Sequence, residues 1–362
     1  MLVPKLRFKR EDGTDYPEWE SKTLQEVTSH FQSGKAINRS NIAQTGKYAV
    51  YGGNGLRGFT DSYNHCGDYV LIGRQGALCG NVCFVSGKNY FTEHAIAVQA
   101  NSENYLPFLL YQFDNMNLGQ YSGQSAQAGL AVSRITQVTA NFPHIEEQQK
   151  IADFLSTVDE VIAQSEAEVQ NLEQQKKAAM QKIFSQEVRF KREDGTDYPE
   201  WEENTVLNVL GKVSSGKTKP DNSGSFPLYG SMGVIGTCLS ANYKGKKLLI
   251  ARVGANAGTI NYVEEDCGVT DNTLVICNEV ENLKYFYYAL QECNLGKMVI
   301  GSGQPLITGR GVQNVVLLLP CLEEQQKIAD FLSAYDEAIS YAKQELDKWK
   351  ELKKGLLQQM FV

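Results

Sequence analysis

The motif Gly211-Lys-Val-Ser-Ser-Gly216-Lys217-Thr218 fits G-x-x-x-x-G-K-[ST], a loop that cradles phosphate with its backbone amides. That chemistry needs a strand feeding the loop and a helix starting directly after it, so that the amides converge on the anion. Here Pro220 and the turn cluster Asp221-Asn222-Ser223-Gly224 follow instead. The matching residues in the first half are Ser29, Gly34, Lys35 and Ala36, so the first glycine and the hydroxyl are missing. A Gly-Lys loop touching a phosphate backbone is the better reading. Proton transfer finds no constellation. His30, His65, His94 and His144 all lie in the first half, whereas a duplicated enzyme would keep its base in both. There is no G-x-S-x-G, no H-E-x-x-H, and no Asn-Pro-Pro-aromatic tetrapeptide of the kind amino-methylating enzymes use. The eight cysteines are scattered without a C-x-x-C pair, which suits reduced thiols in a cytoplasmic protein and no metal site. The chain is therefore expected not to be a catalyst.

What remains is side-chain chemistry suited to DNA. Arg, Asn and Gln can pair bidentately with purine edges, while Lys and Ser mostly meet phosphates. The candidates in the first half are Lys35, Asn38, Arg39, Asn54, Arg57, Arg74, Gln75, Gln124 and Arg134. In the second half they are Lys217, Lys219, Lys244, Lys246, Lys247, Arg252, Asn256, Gln304 and Arg310. For any one of them plain solvent exposure is the competing account. Arg74 with Arg252, and Gln124 with Gln304, stand first because they recur at matched, glycine-flanked places, although such residues can equally hold the fold. The net charge of −7 at first opposes a nucleic-acid partner. Nearly all of it lies in two long acidic segments, 146–185 and 323–362, and the rest of the chain is close to neutral.

The elements that must position these residues come from a duplication. Arg7–Glu20, RFKREDGTDYPEWE, returns letter for letter at Arg189–Glu202. The residues between drift, yet Tyr51-Gly52 matches Tyr229-Gly230, VLIGRQGALCGNV (70–82) matches LLIARVGANAGTI (248–260), and Thr92-Glu93-His94 matches Thr270-Asp271-Asn272. Then Glu-Glu-Gln-Gln-Lys-Ile-Ala-Asp-Phe-Leu-Ser opens both acidic segments, at 146–156 and 323–333. Apolar residues recur there in alternating steps of four and three: Ile151, Leu155, Val158, Ile162, Val169 and Leu172, then Ile328, Leu332, Tyr335, Ile339, Leu346 and Trp349. A 3.5-residue period keeps one seam facing a partner helix. Lys176 and Lys353 fall on the same seam position, where a polar residue can fix register. Forty helical residues make a rod of about 60 Å. Chain order makes the pair antiparallel, with a globular segment at each end. The expected fold is α+β: two similar α/β domains, 1–145 and 186–322, separated by spacer helices 146–185 and 323–362. Tyr69–Ile72, Leu248–Ile250, Thr273–Cys277 and Val315–Leu319 read as strands; Pro107–Phe113 and Leu283–Gln291 read as short helices. No stretch of about 18 apolar residues suggests a membrane span.

The helix starts Pro143–Leu155 and Pro320–Leu332, the Tyr-Pro-Glu-Trp-Glu lead-ins (16–20 and 198–202) and the Gly-Gln…Pro…Leu-Pro run (303–320) resemble the specificity subunits of type I restriction–modification enzymes. The first half departs mildly, lacking the proline that matches Pro305. The resemblance covers essentially the whole chain. It implies two target-recognition domains, each reading one half of a split, asymmetric site in double-stranded DNA. It also implies helices that set the half-site distance and dock two methyltransferase subunits. S-adenosylmethionine would be bound by those subunits, none by this chain, and a separate restriction (translocase) subunit would cut. Phe154 and Phe331, beside the seam, are the expected methyltransferase contacts. The rival is a coiled-coil spacer protein with two domains for glycans or peptides.

Overall fold

The computed structural model describes residues 4–76, 78–123, 129–221, 224–277, 280–301 and 305–361. It divides into two compact units, one of residues 1–166 with 344–362, the other of residues 167–343. Each unit holds one globular domain and one half of each long helix.

In the first unit a four-stranded antiparallel sheet runs in the order Thr28–Ser33, Ala95–Ala100, Tyr69–Gly73, Val82–Val85. Every residue of Tyr69–Gly73 is buried because the strand is covered on both faces. Val70 and Ile72 join Phe108, Leu109 and Phe113 of helix Leu106–Asn115. Tyr69 and Leu71, pointing the other way by the two-residue period, join Phe91 and Ala97. A second sheet has the order Gly55–Thr60, Tyr48–Gly52, Lys88–Phe91, His65–Cys66, with its central pair parallel. Glu20–Thr23 pairs with Thr139–Phe142 and closes the domain.

The second unit repeats the plan. Ser214–Ser215, Thr273–Ile276, Lys247–Ala251 and Ile260–Val263 form one sheet. Gly233–Cys238, Phe226–Gly230 and Gly268–Val269 form the other. Glu202–Thr205 pairs with Val316–Leu319. Helix Leu283–Glu292 covers Leu248 and Ile250, while Leu249 and Val275 face Cys267 and Val269. All eight cysteines are free thiols.

The long helices run Ile145–Phe184 and Leu322–Met360, with acids in each first turn where the helix dipole favours them. Every apolar seam position of the sequence reading is buried or half-buried, and most residues between them are exposed. Within each unit the two helices pair antiparallel. Lys353 meets Asp159 in the first unit and Lys176 meets Asp336 in the second, both at 2.6 Å. Each aspartate also accepts a tyrosine hydroxyl, Tyr111 at 2.9 Å and Tyr288 at 2.7 Å. Burial, and then that bond, push both phenols up. The seam lysines are thus pinned by ion pairs and stacked near the same tyrosine rings.

The fourteen identical lead-in residues have a structural task. Arg7 donates through Nε and Nη2 to Glu147, at 3.0 and 2.7 Å, and Glu147 is fully buried. Arg189 does the same to buried Glu324, at 3.3 and 2.9 Å, and Trp201 Nε1 adds a third bond at 3.0 Å. Lys150 and Lys327 close each clasp by donating to the carbonyls of Lys9 and Lys191. The lead-in is a buckle on the first turn of the long helix, and the identical helix starts are its other half.

Candidate nucleic-acid interface

The two domains build a cleft at matched positions. In the first it is lined by Gly53, Asn54, Arg57, Gln75, Gly76 and His94. The hairpin Tyr48–Gly52/Gly55–Thr60 supplies Asn54 from its turn, beside Gly55 at φ 84°, and Arg57 from its second strand. The segment after Tyr69–Gly73 supplies Gln75, and the loop before Ala95–Ala100 supplies His94. In the second domain the same three segments present Ser231, Met232 and Ile235, then Val253, Gly254 and Asn256, then Asp271 and Asn272. Lys217, Lys219 and Thr270 join them. Thr270 is buried, and its hydroxyl lacks a hydrogen-bond partner among the described residues.

The frame is constant and the lining is not. Asn54 stands where Met232 does, Arg57 where Ile235 does, Gln75 where Val253 does, and His94 where Asn272 does. The first cleft offers donors and acceptors. The second offers exposed apolar groups, with Met232 82% and Ile235 53% accessible, flanked by exposed lysines.

The candidates do not all converge. Asn54, Arg57 and Gln75 share one cleft, and Lys217, Lys219 and Asn256 the other. Lys35, Asn38 and Arg39 are exposed on the segment between strands Thr28–Ser33 and Tyr48–Gly52. Arg134 and Arg310 are exposed on short helices Val132–Ile135 and Gly309–Gln313. Lys244 and Lys246 are exposed on the loop leading into Lys247–Ala251. Gln124 and Gln304 lie outside the described residues.

Arg74 and Arg252 border the clefts but spend donors on the fold. Arg74 donates to the carbonyls of Leu130 and Glu93, at 3.3 and 3.2 Å, and Arg252 to that of Asp271, at 3.1 Å. They tie together loops that carry the cleft residues.

Lys247 is a correction. It is fully buried, and its ammonium donates to the carbonyls of Gly245 and Glu265. A buried charge needs such partners, so this lysine holds the loop and presents nothing to a ligand. The nucleotide-loop motif at 211–218, disfavoured from the sequence, lacks its helix: among the described residues none starts directly after Thr218, whose Oγ1 accepts from Asn242 Nδ2 and Val269 N, and Gly216 packs against the carbonyls of Val269 and Thr270.

His94 is a cleft residue that sequence reasoning missed, although the match of Thr92-Glu93-His94 to Thr270-Asp271-Asn272 pointed at the segment. Phe154 and Phe331 are 38% and 39% exposed, and each ring meets a lead-in phenylalanine, Phe8 at 5.7 Å and Phe190 at 5.6 Å. His30 and His65 belong to the first domain's interior, where burial pushes both imidazoles down.

Two like domains, each with a cleft in the same frame and different side chains in it, make the chain an internal duplication. The family model of the type I restriction modification DNA specificity domain matches residues 16–174 and 177–350, and the chain belongs to that family. It is a specificity subunit, not a catalytic one. Among its relatives, the EcoprrI specificity subunit of Escherichia coli is 39% identical over 158 residues, which cover 42% of this chain and 38% of that protein. The putative MjaX specificity subunit of Methanocaldococcus jannaschii is 26% identical over 316 residues, 77% of this chain and 73% of that one. The fold is that of the S subunit from M. genitalium, with a TM-score of 0.73 at 18% identity over 100% of this chain and 99% of that one. No helix among the described residues is long and apolar enough to cross a membrane.

Proposed function

We propose that each domain, 1–145 and 186–322, reads one half of a split site in double-stranded DNA through its cleft. The observation that carries this is the pair of clefts built from the same three segments and lined by different side chains. In the first, Arg57 has the fork for guanine O6 and N7, and Asn54 and Gln75 the amides for adenine N6 and N7. In the second, Met232, Ile235 and Val253 suit thymine methyls, and Lys217 and Lys219 suit phosphates. Lys35, Arg39, Lys244 and Lys246 would add backbone contacts.

The paired helices set the distance between half-sites and dock two methyltransferase subunits, with Phe154 and Phe331 as contacts. Those subunits bring S-adenosylmethionine, and a restriction subunit completes the complex in the cytoplasm. Family membership supports this assembly, and a solved structure on complex assembly and conformational transition of the type I R-M system has a TM-score of 0.56 to this chain. The glycan or peptide alternative receives no such support.

The test is to map methylated sites in cells carrying the partner subunits. Asn54→Met with Arg57→Ile and Gln75→Val should change one half-site and leave the other and the spacing intact. Sites unchanged in both halves would defeat the cleft assignment. Phe154→Asp with Phe331→Asp should abolish co-purification with the methyltransferase; unchanged binding would refute that contact.

A further inference from the structure

We propose that four charges at the middle of the helix seam make the two repeats pair with each other and reject pairing of like with like. In the first unit Glu166 meets Lys350, and in the second Glu173 meets Lys343, each at 2.7 Å. The repeats are offset by 177 positions in the helices, so Lys343 stands where Glu166 does and Lys350 where Glu173 does. The first helix therefore carries both acids and the second both lysines.

The other ion pairs across the seam cannot make this distinction. Lys353 with Asp159 and Lys176 with Asp336 are the same pair in both repeats. Two first helices placed in the same antiparallel register would form that pair again, Asp159 against Lys176 of the other copy. The helix ends are equivalent too, since Phe184 meets Trp201 and Phe361 meets Trp19, both at 6.4 Å. In that register, however, Glu166 would face Glu173 of the other copy, twice. Two second helices would twice set Lys343 against Lys350. Turning an exposed attraction into a repulsion changes an equilibrium about fivefold per contact. Two contacts per like seam give about twenty-five-fold. This is repulsion used to choose a partner. It would keep two different readers together in one particle, and it rests on the helix contacts alone, independent of what the clefts bind.

The test removes the advantage of a single chain. A protease site inserted between the exposed residues Glu187 and Val188 lets the folded protein be nicked into its two repeats, still held by the seam. Native mass spectrometry after prolonged incubation then counts like and unlike pairs. The wild type should remain unlike-paired. Glu166→Lys with Lys350→Glu keeps both ion pairs within the chain but makes both like seams attractive, so like pairs should rise by about twenty-five-fold relative to unlike pairs. Adding Glu173→Lys and Lys343→Glu should restore selectivity with every charge reversed. Thermal midpoints matching wild type certify folding, and Glu173→Lys with Lys343→Glu alone substitutes should the first pair misfold. Scrambling of the wild type, or unchanged selectivity in the protein carrying only Glu166→Lys with Lys350→Glu, overturns the proposal.

Discussion

Asp336→Ala should destabilise the second unit by about 1.5–2.5 kcal/mol. The aspartate accepts from Lys176 at 2.6 Å and from Tyr288 at 2.7 Å. The Lys176 side chain is only 14% exposed, so the ammonium left behind cannot fully rehydrate. A charged hydrogen bond of this kind contributes about 1.5–3 kcal/mol. The low end applies here, because Asp336 is 39% exposed and a lysine stem can swing its head towards water. The buried Tyr288 hydroxyl keeps Ser333 Oγ at 3.2 Å and so adds at most about 1 kcal/mol. Urea unfolding followed through Trp201, in a Trp19→Phe, Trp349→Phe background, reads the second unit. Glu173→Ala, which breaks a pair exposed by about half on both sides, should cost only about 0.3–0.5 kcal/mol. Lys176→Met added to Asp336→Ala should recover part of the loss, since the penalty is an unpaired ammonium. Equal costs for Asp336→Ala and Glu173→Ala, or no recovery with Lys176→Met, would refute the reasoning.

Glu147→Gln should cost about 2–3 kcal/mol and free the first lead-in, seen as faster amide exchange over residues 7–19, because the arginine loses its charged, fully buried partner. Lys247→Met should lower the stability of the second unit by about 2 kcal/mol through two orphaned carbonyls, whereas Lys244→Ala and Lys246→Ala should leave the urea midpoint unchanged. Acid should weaken the first domain selectively. The folded-state pKa values of His30 and His65 lie below their ordinary 6.5, so stability is whole above that pH. It is lost as pH falls through 6.5 towards the folded-state values, as the unfolded chain takes up protons first. His30→Phe with His65→Phe should flatten that slope, and an unaltered pH profile in the variant would exclude these two groups as its source.

The helices were legible because a 3.5-residue period is local information: Ile151, Leu155 and Val158, and equally Ile328 and Leu332, announce their own burial. The partners of Lys176 and Lys353 were not, since each aspartate lies on the other helix, 160 or more positions away. The unlike linings could be read from the matched segments, but their convergence needed the fold, which is why His94 escaped notice. Lys247 was misread because it ends the run Lys244-Gly-Lys-Lys, which looks like an exposed basic loop. The buried strand Lys247–Ala251 starts one residue earlier than its apolar letters suggest. The identical lead-ins were visible at once, yet their purpose needed Glu147 and Glu324, acids whose place in a first turn already had an adequate explanation.

Met360 and Phe361 are buried in the same cluster as Trp19 and Phe108. The first of the two domains to be translated thus waits for side chains made after the second domain. Its interior stays unfinished while its sibling is made, and the last turn of the second long helix acts as the stopper. A chaperone guarding this polypeptide would have to shelter the older half longest, and a protease trimming that last turn would wound the domain most distant in sequence.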